Sequence, residues 1–136
     1  MDFLTSEKRG QLMSRVRGRD TKPELAVRKM VRQLGYTFKT HRRSLPATPD
    51  IVFPKLRKTI LVHGCFWHRH YRCKKASVPK TRALFWANKF RRNKERDRAK
   101  LRELRAQGWE ALVLWECEIE NPGKIRERIR QYLETA

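Results

Sequence analysis

Acidic residues are scarce in this chain. Fourteen Asp and Glu stand against thirty-four Lys and Arg, a formal net charge of +20 over 136 residues. Solubility requires far less, and self-repulsion on this scale destabilises the compact state unless a polyanion offsets it. Nucleic acid is the expected polyanion. The competing reading is a generically basic protein, ribosome-associated or lying on an acidic membrane; aromatics interleaved with the charge favour nucleic acid. Long apolar runs are also missing. None approaches the roughly 20 residues a bilayer-spanning helix needs, and Met1-Asp2-Phe3-Leu4 runs into charge rather than into a secretory apolar core. Cysteine is limited to three, an odd number that argues against a disulfide framework and for a reducing cytoplasm. Repeats and low-complexity linkers are absent, so residues 1–136 are expected to form a single domain with one modest core, preceded within residues 1–20 by a basic DNA-contacting segment.

The pattern of what is present predicts a mixed α/β architecture. Residues 6–16 read as a basic helical segment whose few apolar positions are Leu12, Met13 and Val16. Thr21-Lys22-Pro23-Glu24 reads as a capping box, with Thr21 as N-cap and Glu24 reaching back. Val27, Met30, Val31 and Leu34 then define a buried helix face that stops at Gly35. Strands are expected at residues 36–41, 50–53 and 58–62, close enough in sequence for an antiparallel meander. A long helix is expected from about residue 81 to 107, and a strand at 109–115. The apolar run Ala111-Leu112-Val113-Leu114 points to a central position covered on both faces. Asn121-Pro122 starts a last helix, with Ile125, Ile129, Tyr132 and Leu133 facing the sheet. The result is a mixed sheet with helices on both faces.

Chemistry concentrates between His63 and Cys73. The run His63-Gly64-Cys65-Phe66-Trp67-His68-Arg69-His70-Tyr71-Arg72-Cys73 holds three of the four histidines and two of the three cysteines. Imidazoles and guanidiniums are costly to bury unpaired, so a metal-pinned loop suits this run better than core. Cys65, His70 and Cys73, with Cys117 after the last strand, make a Cys3His set for a closed tetrahedral zinc site. Three unrelated buried thiols are the competing reading, and spacing does not decide between His68 and His70 as the ligand. Asp50, at the end of Thr48-Pro49-Asp50, suits a hard cation such as magnesium, which neutralises phosphate and activates water. Alone it would read as a turn aspartate; His63 and His68 tip the balance. An imidazole, ordinarily titrating at about 6.5, can take a proton from water near neutrality. His63 could equally be a satisfied strand-end residue, His68 a spare ligand, and His41 a solvated or phosphate-contacting one. Capping suffices to explain Glu24, and orienting a catalytic imidazole or a metal-bound water is compatible with it. Phe66, Trp67 and Trp86 are expected to wedge into DNA, with Met13 acting from another side and Phe85 in the core. Lys89, Arg91, Arg92, Asn93, Lys94 and Arg96 can cross a phosphate backbone, while Glu95, Asp97 and Glu103 offer local ion pairs.

At these residues the chain resembles the very short patch repair (Vsr) endonucleases. The likeness rests on Arg19-Asp20-Thr21, Glu24, Leu45-Pro46-x-x-Pro49-Asp50, His63-Gly64-Cys65-Phe66-Trp67-His68, Val78-Pro79, Thr81-Arg82, Phe85-Trp86, Asn93, Glu95-Arg96-Asp97, Gly108-Trp109 and Val113-Leu114-Trp115-Glu116-Cys117, in order along nearly the whole chain. It implies the restriction-endonuclease-like PD-(D/E)xK fold with a structural zinc. It implies magnesium-dependent hydrolysis of one DNA strand 5′ of the thymine in a T:G mismatch, the product of 5-methylcytosine deamination, in a context such as CC(A/T)GG. By resemblance Asp50 and the Val62 main-chain carbonyl bind magnesium, His68 activates water, His63 assists at the phosphate and Glu24 supports His68. Cys65, His70, Cys73 and Cys117 hold zinc; Met13, Phe66, Trp67 and Trp86 surround the mismatch, with Lys89 and Asn93 at the DNA. Mismatch-repair proteins and a repair DNA polymerase are the implied partners, and the nucleoid of a bacterial cytoplasm the implied setting. A nickase needs no two-fold partner, so a monomer is expected. Leu61 and His63 stand where ordinary PD-(D/E)xK enzymes carry a carboxylate and a lysine, a departure that Vsr proteins share, and Val62 replaces the threonine usual in the family. Two other readings remain: a Vsr-like nuclease with a different target, serving restriction or general repair, and a non-catalytic zinc DNA-binding module.

Overall fold

The computed structural model describes residues 21–65 and 81–135. The expectations placed on Met13, Phe66, Trp67, His68, His70 and Cys73 lie outside these residues.

The first helix, α1 (Lys22–Gln33), begins where its chemistry says it should. The Thr21 hydroxyl accepts the Glu24 amide at 3.5 Å, and a proline occupies the first turn. Gly35, at φ 89°, closes the helix. Its amide bonds the Arg32 carbonyl at 3.0 Å and the Tyr36 amide bonds that of Val31 at 3.3 Å, satisfying two carbonyls that the helix leaves over.

Four strands follow: β1 (Lys39–Thr40), β2 (Ile51–Phe53), β3 (Lys58–His63) and β4 (Glu110–Trp115). They lie in the order β1-β2-β3-β4, the first two pairings antiparallel and β3–β4 parallel. The meander is as expected. The first strand is not: residues 36–41 form a ladder only at Lys39 and Thr40. Tyr36 and Phe38 instead turn their rings edge-on to Phe53, at 6.1 and 6.4 Å between centroids.

Helix α2 (Ala83–Ala106) makes the crossover between β3 and β4, and α3 (Pro122–Glu134) follows a short 3-10 turn at Glu118–Glu120. The side chains of β4 alternate between two cores. Leu112 and Leu114 join α1 and α3 through Val27, Val31, Ile125 and Ile129, whereas Ala111 and Val113 join Leu104 and Trp109 under α2. The strand order corrects the expected place of β4. Among the described residues it is an edge strand, and its continuous apolar run reflects cover on both faces, which an edge strand can have as well as a central one.

Buried Lys58 fixes α3 to the sheet. Its ammonium donates to the Tyr132 carbonyl at 2.6 Å and to that of Thr135, at the negative end of the helix dipole. The Tyr132 hydroxyl donates to the Thr59 carbonyl at 2.9 Å; burial pushes this phenol up to about 12. Among the described residues no helix is long and apolar enough to cross a membrane. The whole is a mixed α/β sheet flanked by helices, consistent with a PD-(D/E)xK-like fold.

Candidate active site

Asp50 precedes β2 and His41 follows β1, so the loop 42–49 closes between them. The His41 amide donates to the Asp50 carbonyl at 3.4 Å, which joins the two backbones at its mouth. The β2–β3 ladder ends at Ile51 and Ile60, beyond which the Val62 amide needs an acceptor. The Asp50 carboxylate provides it, with Oδ2 at 2.6 Å from that amide. Val62 thus reaches Asp50 through its N–H.

Helix α1 brings the second carboxylate. Glu24 sits in its first turn, 6% exposed. Its Oε2 lies 3.3 Å from Arg28 Nη2, one turn on, and 3.3 Å from His41 Nε2. Ligand atoms of Glu24, His41 and Asp50 all lie within 4.8 Å of one another, close enough to hold one metal ion. The Glu24 carboxylate therefore has a role inside the sheet edge, beyond the reach-back expected of a capping box.

Two carboxylates this close cost free energy. Burial foremost, and then the neighbouring Glu24, raise Asp50 from 3.8 to about 7; the Val62 amide opposes the rise. A dication is the natural remedy, because it offsets both charges at once and imidazole with carboxylate is a usual donor set. The residues present fit a divalent metal.

Glu24, Asp50, Val62 and His63 line one groove of 590 Å³, between the loop 42–49 and the second half of α2. Arg43, Arg96 and Lys100 also line it, as do Asp97 and Glu103. His63 ends β3 opposite Trp115 of β4, their rings edge-to-face at 5.2 Å. The structure therefore gathers four expected residues, Glu24, Asp50, Val62 and His63, in one groove. Arg28, His41, Arg43 and Lys100 were not singled out as site residues. His41, read as solvated or phosphate-contacting, has a side chain only 12% exposed. A weak signal existed for Arg28, four residues after Glu24.

The parallel pair β3–β4 also ends in two of the expected zinc ligands. Cys65 is buried and Cys117 half-buried. The Glu116 carboxylate, next to Cys117, accepts the Cys65 amide at 3.2 Å, and the Glu116 amide donates to the His63 carbonyl at 3.0 Å. These bonds tie the two cysteine-bearing ends together.

On α2 the expected division of the aromatics is reversed. Trp86, expected at DNA, is 4% exposed and stacks on Phe90 at 5.6 Å; Phe85, expected in the core, is 39% exposed. Positions 86 and 90 share the inward face of the helix one turn apart, which leaves 85 outside. Arg82 lies over the Phe85 ring at 4.3 Å, and Lys89 lies 5.5 Å from the Trp86 centroid. Asn93 is half-buried one turn after Lys89.

Buried carboxylates and an imidazole in a groove that Arg43, Arg96 and Lys100 also line, on a strongly basic α/β chain, are the makings of a metal-assisted phosphodiesterase. Similarity to known proteins agrees. The family described as DNA mismatch endonuclease Vsr matches residues 1–75. Type II nicking enzyme V.XorIIP of Xanthomonas oryzae pv. oryzae is 44% identical over 133 residues, 98% of this chain and 97% of that protein. Type II nicking enzyme V.NmeAIP of Neisseria meningitidis serogroup A is 36% identical over 130 residues, 96% and 92% of the two chains. DNA mismatch endonuclease Vsr of Escherichia coli K12 is 38% identical over 117 residues, 86% and 74%. The chain belongs to the Vsr and type II nicking-enzyme family of DNA endonucleases, and its activity is phosphodiester hydrolysis. That sets aside the non-catalytic zinc module.

Proposed function

We propose that this protein is a divalent-metal-dependent endonuclease that nicks one strand of duplex DNA at a target of its own, as a type II nicking enzyme does. The observation that carries the chemistry is the Glu24–His41–Asp50 cluster beside a groove shared with His63. The choice of target class rests on V.XorIIP, a nicking enzyme by name, which is similar over almost the full length of both chains.

A scissile phosphate would enter the groove between Arg43, Arg96 and Lys100. A bound divalent ion supplies charge neutralisation at the phosphate and a more acidic water. Asp50 and Glu24 hold that ion, with magnesium the ion implied by family resemblance and the Val62 carbonyl as a further donor. His63 stands at the end of β3 to contact the phosphate, and His68 takes the proton from the attacking water. Water adds to phosphorus, the bond to the leaving sugar oxygen breaks, and that oxygen gains a proton. Cys65, His70, Cys73 and Cys117 would hold a structural zinc. Met13, Phe66 and Trp67 wedge the duplex open, and Phe85 is the ring that the start of α2 presents.

A second reading is cleavage 5′ of the thymine in a T:G mismatch within CC(A/T)GG, with mismatch-repair proteins and a repair polymerase as partners. The description of the matching family favours it. Strand-specific cleavage of labelled duplexes separates the two. The panel pairs T:G with T:A in CC(A/T)GG and in a library of other contexts. A single nick confined to another context is the expected result. A nick only at T:G in CC(A/T)GG would establish the second reading. Intact strands throughout, with every divalent ion, would refute both.

A further inference from the structure

We propose that Glu24, His41 and Asp50 form a nitrogen-containing site that takes a first-row transition dication in preference to magnesium, and that Arg28 holds the cation's place until the ion arrives. The inference rests on the metal-dependent reading above and deepens it, by naming the ligands and the class of ion.

Arg28 Nη2 lies 2.8 Å from His41 Nε2 and 3.3 Å from Glu24 Oε2. A positive group thus already caps two of the three ligand atoms, which are themselves 3.3 Å apart. A guanidinium only donates, so His41 Nε2 meets it with its lone pair, and that lone pair is what a metal requires. The 2.8 Å contact to Arg28 is shorter than the 3.3 Å from the same nitrogen to Glu24 Oε2, which favours the tautomer that ligates. To replace Nη2 with an ion, the two ligands need close in by about 1 Å, reaching the usual metal–ligand distance near 2.1 Å. Arg28 reaches the cluster from one helical turn beyond Glu24 and is buried beside it, so its displacement by an ion would take a change of rotamer rather than a movement of α1.

The donor set chooses the ion. Magnesium is hard, prefers oxygen and gives up water reluctantly. Imidazole suits the transition dications better. His41 is also held in position: its backbone is bonded to that of Asp50, and its side chain is mostly buried. A site with this fixed nitrogen favours Mn2+ or Co2+ over Mg2+.

Mn2+ added to the full chain carrying no more than one zinc per molecule, without DNA, provides the test. Its free EPR signal reports affinity, and pulsed EPR reports nitrogen on the bound ion. Expected is one bound Mn2+ with a histidine nitrogen coupling that changes when the wild type carries 15N-histidine. His41→Gln should remove that coupling and weaken Mn2+ about tenfold or more, while Mg2+ affinity, read by competition, falls less than about threefold. Arg28→Met should keep the coupling and tighten Mn2+ about tenfold, because an attractive competitor has gone. Wild-type protein that binds no Mn2+, or binds it without nitrogen coupling, would overturn the site. A coupling that persists in His41→Gln would overturn His41 as the ligand, and weaker Mn2+ binding by Arg28→Met would overturn the placeholder. Any of these failures leaves the nickase reading standing if Mg2+ still supports a single nick.

Discussion

At the scale of single residues, Asp50 trades stability for chemistry. Its carboxyl titrates at about 7 in the folded chain, against 3.8 ordinarily. Between those values the folded state keeps a proton that the unfolded chain releases. The group's contribution to stability is therefore complete below about pH 4 and is lost as pH rises through 7. Asp50→Asn removes the titration and leaves a side chain of similar shape. In divalent-free buffer, the stability of wild type relative to Asp50→Asn should fall from pH 4 to pH 8 by on the order of a few kcal/mol, read from urea midpoints. A divalent ion at pH 8 should restore much of that difference in wild type, and Asp50→Asn should bind DNA without nicking it. A stability difference that stays flat with pH would show that Asp50 ionises normally. Asp50 and Glu24 were both legible in the sequence, one from Thr-Pro-Asp and the other from its place after an N-cap. Arg28 and His41 were not. An i, i+4 pair of Glu and Arg occurs on many solvated helix faces, and His41 enters the site only because the loop 42–49 folds back on Asp50.

At the scale of elements, periodicity and stop signals carried most of the fold, since helices α1, α2 and α3 start and end within a few residues of where caps, glycines and prolines place them. Strands were harder. Residues 36–41 alternate as a strand should, yet the aromatic packing of Tyr36 and Phe38 on Phe53 does not require a ladder. The edge position of β4 was illegible because an apolar run reports cover on its faces and says nothing of neighbours in the sheet. The junction between α2 and β4 gives a direct test. Gly108 has φ 88°, and a Cβ there would lie 3.3 Å from Arg57 Nη2. That guanidinium donates to the Gln107 carbonyl at 2.8 Å and lies over the Trp109 ring at 4.6 Å. Gly108→Ala should cost about 1 kcal/mol through the left-handed backbone, and lower Tm by about 3–5 °C. An unchanged Tm would mean that the junction relaxes into another turn.

At the scale of the whole molecule, the excess of basic residues does two things at once. It draws duplex DNA to the protein, and it strains the free chain. Part of the charge is spent locally: Arg130 bridges Glu127 and Glu134, and Arg128 meets Glu118 at 2.7 Å, all on α3 or the turn before it. Such exposed pairs contribute little to stability, and they lie away from the residues that line the groove. Arg43, Arg96 and Lys100 converge on the groove from the loop and from α2, and the same groove holds Glu24, Asp50, Asp97 and Glu103. Without a metal its charge is mixed, so phosphate should enter best when the dication is present. Each phosphate contact releases counterions and adds about 0.9 to the slope of log K against log salt. Arg43→Gln, Arg96→Gln and Lys100→Gln should therefore each lower that slope by about 0.9 in the presence of a divalent ion. Fluorescence anisotropy of a labelled duplex across a salt series measures it. The same substitutions in divalent-free buffer should change the slope less, because the carboxylates then repel the phosphate that these side chains would meet. Substitutions that weaken binding at every salt concentration without altering the slope would place the DNA backbone outside the groove. An exposed cation such as Lys124, on the far helix, provides the reference for charge alone.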